Sequence, residues 1–221
     1  MKRAWRTFLL VAAAAAVPAV LRAASLDQFA AGSFEARQEA LEQFVKAGSD
    51  AMADLIKGAS DKRLLVRMYS VKALGRIAAG SSLDTLKKVA TKDPSPGIRA
   101  EAAMALGNLH TDEAAMALLD VVGKIQTADR PAVPGDGDRY VRLCAAQALC
   151  KLRTKHTVPI LIALLKHTDD EIPPVAAKAL ADLTYFHFGA DYAKWKEWWK
   201  ANKDSFVITQ TIYPHEPLEK K

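Results

Sequence analysis

Apolar residues recur along this chain on a 3.6-residue period in several related segments. Val66, Ser70, Ala73, Leu74 and Ile77 fall at i, i+4, i+7, i+8 and i+11. Ile98, Ala102, Ala105, Leu106 and Leu109 repeat that spacing, and so do Val141, Ala145, Ala148, Leu149 and Leu152. A fourth copy runs from Ile172 to Ala179-Leu180-Ala181, and a weaker one from Ala36-Arg37 to Phe44. Each stripe predicts a helix with one buried face. Small residues recur at the second and third positions of the three full copies, which lets a neighbouring helix approach closely. Gly75 and Gly107 follow the marker leucine although Gly costs about 1 kcal/mol against Ala inside a helix, so packing must demand a minimal side chain there. Cys150 fills the same slot in the next copy.

A second apolar helix follows each of the first: 51–57, 83–90, 113–124, 157–167 and 192–201. Asp61, Asp93 and Asp138 precede first helices, while Ser82, Thr111 or Asp112, and Asp191 stand where second helices need caps. Units of about 31 residues, each unable to bury its apolar face alone, predict an all-α fold: a short right-handed α-solenoid of about five helix pairs. The stack spans 33–203, and the longest interval between copies carries an inserted loop at 125–137, rich in turn residues.

The run Asp93-Pro94-Ser95-Pro96-Gly97-Ile98-Arg99, followed by Ala103-Met104-Ala105-Leu106-Gly107-Asn108-Leu109, resembles the first helix of a bacterial HEAT repeat. Leu183-Thr184, Phe188-Gly189, Asp191, Trp195, Trp198 and Trp199 are similar to the closing unit of exported bacterial HEAT-repeat proteins. The resemblance implies a HEAT-like, armadillo-type fold and a habit of binding proteins; it implies no particular reaction.

The first 24 residues differ from the rest. Lys2, Arg3 and Arg6 precede an apolar run ending near Val20, and Ala23, Ala24 and Ser25 close it, which reads as a secretory signal peptide. The run is shorter than the roughly 20 residues a membrane span needs, so no stable membrane insertion is expected after cleavage. Export places the mature chain in the periplasm or outside the cell. It also changes the charge. The net +6 arises from 31 basic and 25 acidic residues, and a cut after Ala23 removes four basic residues and no acid, leaving +2. The pI of about 9.3 is therefore largely a property of the signal, and no nucleic-acid partner is expected.

Cys144 and Cys150 share a helix, about 9 Å apart along its axis at ~1.5 Å per residue, too far to bridge. The five histidines are scattered, and the only adjacent His-Glu pair, His215-Glu216, is in the tail, so no metal and no cofactor are expected. Asp136-Gly137-Asp138 resembles a fragment of a calcium loop but lacks further oxygen ligands and reads as a turn. Arg67, Arg99 and Arg142 recur at one register position, with Asp61 and Asp93 each six residues before their Arg, a pattern that ties repeat to repeat.

Two surfaces are candidates for binding. The polar residues of the second helices, Asp54, Lys57, Asp84, Lys87, Lys88, Asp120, Lys124 and Lys166, are expected on a concave face. Tyr192, Trp195, Trp198 and Trp199 share a face of the last helix and form either an aromatic platform or the seal of the stack. Residues 204–221 read as an extended tail. Together these features predict a non-catalytic adaptor or scaffold of the cell envelope that binds another protein. The alternatives are a HEAT-like enzyme of bilin-lyase or metal-hydroxylase type, or an inner-membrane-anchored scaffold.

Overall fold

The computed structural model describes residues 24–124, 133–154 and 156–207. The signal-like segment, the tip of the inserted loop and most of the tail lie outside the described residues. Helices run through α1 (Leu26–Ala31), α2 (Phe34–Ala47), α3 (Met52–Gly58), α4 (Leu64–Ile77), α5 (Leu83–Lys92), α6 (Pro96–Gly107) and α7 (Asp112–Val122). They continue through α8 (Arg139–Lys151), α9 (Thr157–Leu164), α10 (Ile172–Thr184) and α11 (Tyr192–Asn202). From α2 onward they pair in sequence, α2/α3 to α10/α11, and the pairs stack into an all-α solenoid.

The core lies between the two helix layers, filled by the stripe residues. Val66, Ile98, Val141 and Ile172 are fully buried, as are Leu74, Leu106, Leu149 and Leu180. The glycines after the marker leucines mark where first helices touch. A Cβ at Gly75 would lie 2.6 Å from Ala105 Cβ, and one at Gly107 would lie 2.9 Å from Ala148 Cβ. First helices therefore pack directly on one another, while second helices are less closely juxtaposed.

Arg67, Arg99 and Arg142 form a ladder along this layer. Arg67 donates through Nε to Asp93 at 2.7 Å and through Nη1 to the Asp61 carbonyl at 3.0 Å. Arg99 bonds the Asp136 carboxylate at 2.6 Å and the Asp93 carbonyl at 2.9 Å. Arg142 bonds Asp169 at 2.8 Å and the Asp136 carbonyl at 2.8 Å. Each Arg thus clamps the backbone of its own turn and the carboxylate of the next unit. Burial pushes the Asp136 carboxyl up, but the Arg99 hydrogen bond, the Asp138 amide and the charges of Arg99 and Arg142 together hold it below the usual carboxylate range. The ladder has no such rung at Arg37, because Asp61, the carboxylate in the corresponding place, is held by Arg63 at 2.9 Å. Arg37 Nε is buried without a partner.

Asp61 and Asp93 do not cap helix starts in the expected way. Their carboxylates accept the amides two residues on, from Arg63 at 2.8 Å and Ser95 at 2.9 Å, while also holding arginines. Ser82 does not cap α5; its hydroxyl donates to the Ala79 carbonyl at 2.7 Å. Asp138, Thr111 and Asp191 do cap their helices. The Asp136-Gly137-Asp138 turn serves the repeat: Asp136 is a ladder rung and Asp138 the cap of α8.

The inserted segment starts and ends in a two-residue antiparallel ribbon, β1 (Gly123–Lys124) with β2 (Val133–Pro134). Gly135 is required beside it, since a Cβ there would stand 2.1 Å from the Val122 carbonyl oxygen. Both cysteines are free, and burial pushes the Cys150 thiol up to about 12.

The two ends are closed differently. At the N-terminal end α1 lies over α2 and α4, and the fully buried Phe29 ring sits 5.2 Å from each of the Phe44 and Tyr69 rings. At the C-terminal end α11 follows a loop set by Tyr185 at φ 62° and Gly189 at φ 58°.

Candidate functional site

The expected concave residues lie on the second-helix layer. Asp54, Lys57, Asp84, Lys87, Lys88 and Lys166 are exposed there, and Asp120 is half-buried. Lys124 pairs through its backbone with Val133; its side chain lies outside the described structure. First helices pack more closely on one another than second helices do. Sequence periodicity finds both layers but not the difference in spacing between them.

The structure brings the two candidate groups together at one point. The Lys166 ammonium stands 4.6 Å from the centroid of the Tyr192 ring, joining α9 to α11. The aromatic residues of α11 then divide in role. Trp195 is fully buried, its indole N–H donates to the Gly189 carbonyl at 2.8 Å, and its ring meets Phe188 edge-on at 4.9 Å. It seals the stack. Trp198 and Trp199 are half-buried, and Phe206 from the segment after α11 lies 5.3 Å from Trp198 and 6.0 Å from Trp199, edge-on to both. Trp198 Nε1 is buried without an acceptor.

Between α9 and α11 this arrangement leaves a pocket of about 550 Å³, lined by Arg153, His156, Pro159, Trp199, Lys203, Phe206 and Val207. That volume is in the range of small-molecule sites. Its lining combines the apolar Trp199, Phe206, Val207 and Pro159 with the basic side chains of Arg153, His156 and Lys203, and no carboxylate lines it among the described residues. His156 is held from behind: its Nδ1 lies 2.8 Å from Asp112. Sequence reasoning singled out Trp199 but missed Arg153, His156, Lys203 and Phe206, because the turn before α9 and the end of α11 meet only in three dimensions.

Among the described residues no group of three or more His, Cys, Asp or Glu converges as a metal site requires, and no helix is long and apolar enough to cross a membrane. The thiols are poor nucleophiles: burial first, then neighbouring Glu101 and Asp138, raise Cys144 despite its Tyr140 hydrogen bond, and burial raises Cys150.

Comparison with known proteins gives three findings. A model of HEAT repeats matches residues 23–106 and 52–133, together half of the chain, and a model of the PBS lyase HEAT-like repeat matches 141–167. The chain is 38% identical over 66 residues to phycocyanobilin lyase subunit beta of Nostoc sp., an alignment covering 30% of this chain and 33% of that protein. The chain thus spans a third of the length of the curated relative it matches. In structure it is similar to the complex of CpcE and CpcF of phycocyanin lyase from Nostoc sp. PCC7120, with a TM-score of 0.56 and 23% identity over 70% of this chain and 94% of that one. At that identity the likeness speaks for the fold alone.

These findings correct the expectation of a non-catalytic adaptor that is not an enzyme: the sequence relative is a lyase subunit, so the bilin-lyase alternative displaces the scaffold reading. The habit of binding proteins does not separate the two readings, because a lyase subunit built on this solenoid shares the repeats from which that habit was inferred. The repeat register, the Asp–Arg ladder and the matching models agree on one point: the chain belongs to the HEAT-repeat family.

Proposed function

We propose that this chain is a lyase-type HEAT-repeat subunit that handles a bilin, an open-chain conjugated tetrapyrrole, as its substrate and works together with a second protein. The observation that carries the reading is the 38% identity to phycocyanobilin lyase subunit beta, supported by the PBS lyase HEAT-like match at 141–167. The protein partner is supported by a solved structure of similar fold, which is a complex of two chains. Cys144 is buried and Cys150 half-buried, both with raised pKa, so this chain's own thiols do not carry the pigment. Its part is to hold and orient the bilin while the bond to an acceptor is made or broken. The positive, apolar and small-residue order of residues 1–24 further supports export, so that the subunit would meet its substrate in the periplasm or beyond.

The test is an attachment assay. Apo-phycocyanin and phycocyanobilin are incubated with the purified mature chain, with CpcE or CpcF supplied in turn as second subunit, and pigment retained on the protein is read after denaturation. Faster or more complete attachment with the chain than without it is expected. No change with either second subunit contradicts the reading. Fractionation of the producing cell tests the location separately: recovery of unprocessed chain in the cytoplasm contradicts export.

A further inference from the structure

We infer that the pocket between α9 and α11 is a binding site for a flat conjugated molecule carrying a carboxylate, with Trp199 and Phe206 as its stacking wall and Lys203, Arg153 and His156 as its anion-binding side. The inference stands on the lining of the pocket. A bilin belongs to this chemical class, and to that extent the inference deepens the lyase reading and rests on it for the identity of the ligand.

Three observations converge. First, the aromatic wall is preformed. Trp199 is set by α11 and lies 6.3 Å from Trp198, and Phe206 is fixed edge-on to both rings, so a planar ligand meets faces already in place. A preformed wall saves the cost of ordering side chains on binding. Second, the charge is one-sided. Arg153, His156 and Lys203 line the pocket and no acid does among the described residues, while the carboxylate that pairs with His156 comes from Asp112, which is not among the lining residues. Lys203 is exposed and forms no ion pair among the described residues, which leaves its ammonium available to an anion. Third, the neighbouring Trp198 indole N–H is buried with no acceptor, an uncompensated donor beside the stacking wall.

This combination selects against neutral apolar ligands, which gain nothing from the cations, and against small inorganic anions, which gain nothing from the rings. Arginine and lysine differ here in kind: Arg153 offers a planar fork and Lys203 a single mobile charge.

The experiment uses the full mature chain and two fluorescent probes, the anionic 1-anilinonaphthalene-8-sulfonate and the neutral N-phenyl-1-naphthylamine, with phycocyanobilin as competitor. The wild-type chain is expected to bind the anionic probe saturably and more tightly than the neutral one. Trp199→Ala and Lys203→Glu are each expected to weaken anionic-probe binding about tenfold or more, with far-UV circular dichroism unchanged. Because Trp199→Ala risks loosening α11, Lys203→Glu on the exposed rim serves as the variant that tests the site without touching the core. Equal affinity of wild type and Lys203→Glu for the anionic probe overturns the inference, as does tighter binding of the neutral probe. If the anionic probe is bound in this way but phycocyanobilin does not displace it, the pocket stands and the lyase reading loses its ligand. If phycocyanobilin binds with equal affinity to wild type and Lys203→Glu, the pocket assignment falls and the lyase reading survives at another surface.

Discussion

The middle of the stack and its C-terminal end solve the same problem with opposite materials. Between α4, α6 and α8 each first helix meets another of its kind, and the contact is made from the smallest side chains: Gly75 on Ala105, Gly107 on Ala148. Charge is used there only to fix register, each arginine being spent on the carboxylate and carbonyl of a known neighbour. At α11, the last helix among the described residues, large rings take over. Trp195 closes the core, while Trp199, Phe206 and Lys203 are left with free surface. Repetition consumes its polar groups; the end of the repeat releases them, and that is where a ligand site has room to form.

The largest expected effect breaks the interior side of this comparison. The Asp93 side chain is 4% exposed and its partner Arg67 13%, so Asp93→Ala strands a buried guanidinium and should cost about 3–5 kcal/mol. Urea unfolding of the variant should show a clear drop in midpoint. An unchanged midpoint would mean the ladder contributes nothing. Next is Gly107→Val, whose Cβ meets Ala148 Cβ at 2.9 Å and its carbonyl oxygen at 3.0 Å; overpacking should cost about 1–3 kcal/mol. Gly80→Ala, where nothing lies within 4 Å, is the control and should be close to neutral.

The missing rung sharpens the comparison further. Arg37→Met should be neutral or mildly stabilising, by up to ~1 kcal/mol, because its Nε already lacks a partner, whereas Arg67→Met should destabilise because it leaves the buried Asp93 carboxylate without its arginine. A modest gain is expected at the αL residue ending α4. Ala78 sits at φ 53°, and Ala78→Gly should gain roughly 0.5–1 kcal/mol in the same unfolding assay.

Acid also distinguishes the regions. Asp136 and Asp169 are held below the usual carboxylate range, burial opposing and the Arg99 or Arg142 bonds prevailing. A depressed folded pKa means the stabilisation is complete above the unfolded value of about 4 and is lost as pH falls through the lower folded value. The ladder should therefore hold above about pH 4 and fail below it, and neutralising its acids with Asp136→Asn should flatten the acid limb of a stability–pH curve.

The fold was legible because periodicity is local. Stripe spacing located α4, α6, α8 and α10 and explained Gly75 and Gly107 before any coordinate. Asp136 stands six residues before Arg142, as Asp61 and Asp93 do before Arg67 and Arg99, so the repeat marked it although it was read as a turn; Asp169 was not legible as a rung, since the fourth copy has Pro173 in place of the arginine. The pocket was half legible: Trp199 stands out on a helix face, but Arg153, His156 and Lys203 have no shared spacing and are united only by the packing of α11 on α9. Function was least legible of all. A solenoid surface presents the same stripes whether it holds a protein or a pigment, and it was sequence kinship, not pattern, that displaced the scaffold reading.

The central claim is that a bilin is this chain's substrate. Visible circular dichroism of phycocyanobilin titrated with the purified chain tests it most directly, since a flexible pigment becomes optically active when a chiral site fixes it. The account predicts a saturable induced signal at one pigment per chain. A spectrum that stays that of free pigment throughout the titration would contradict it.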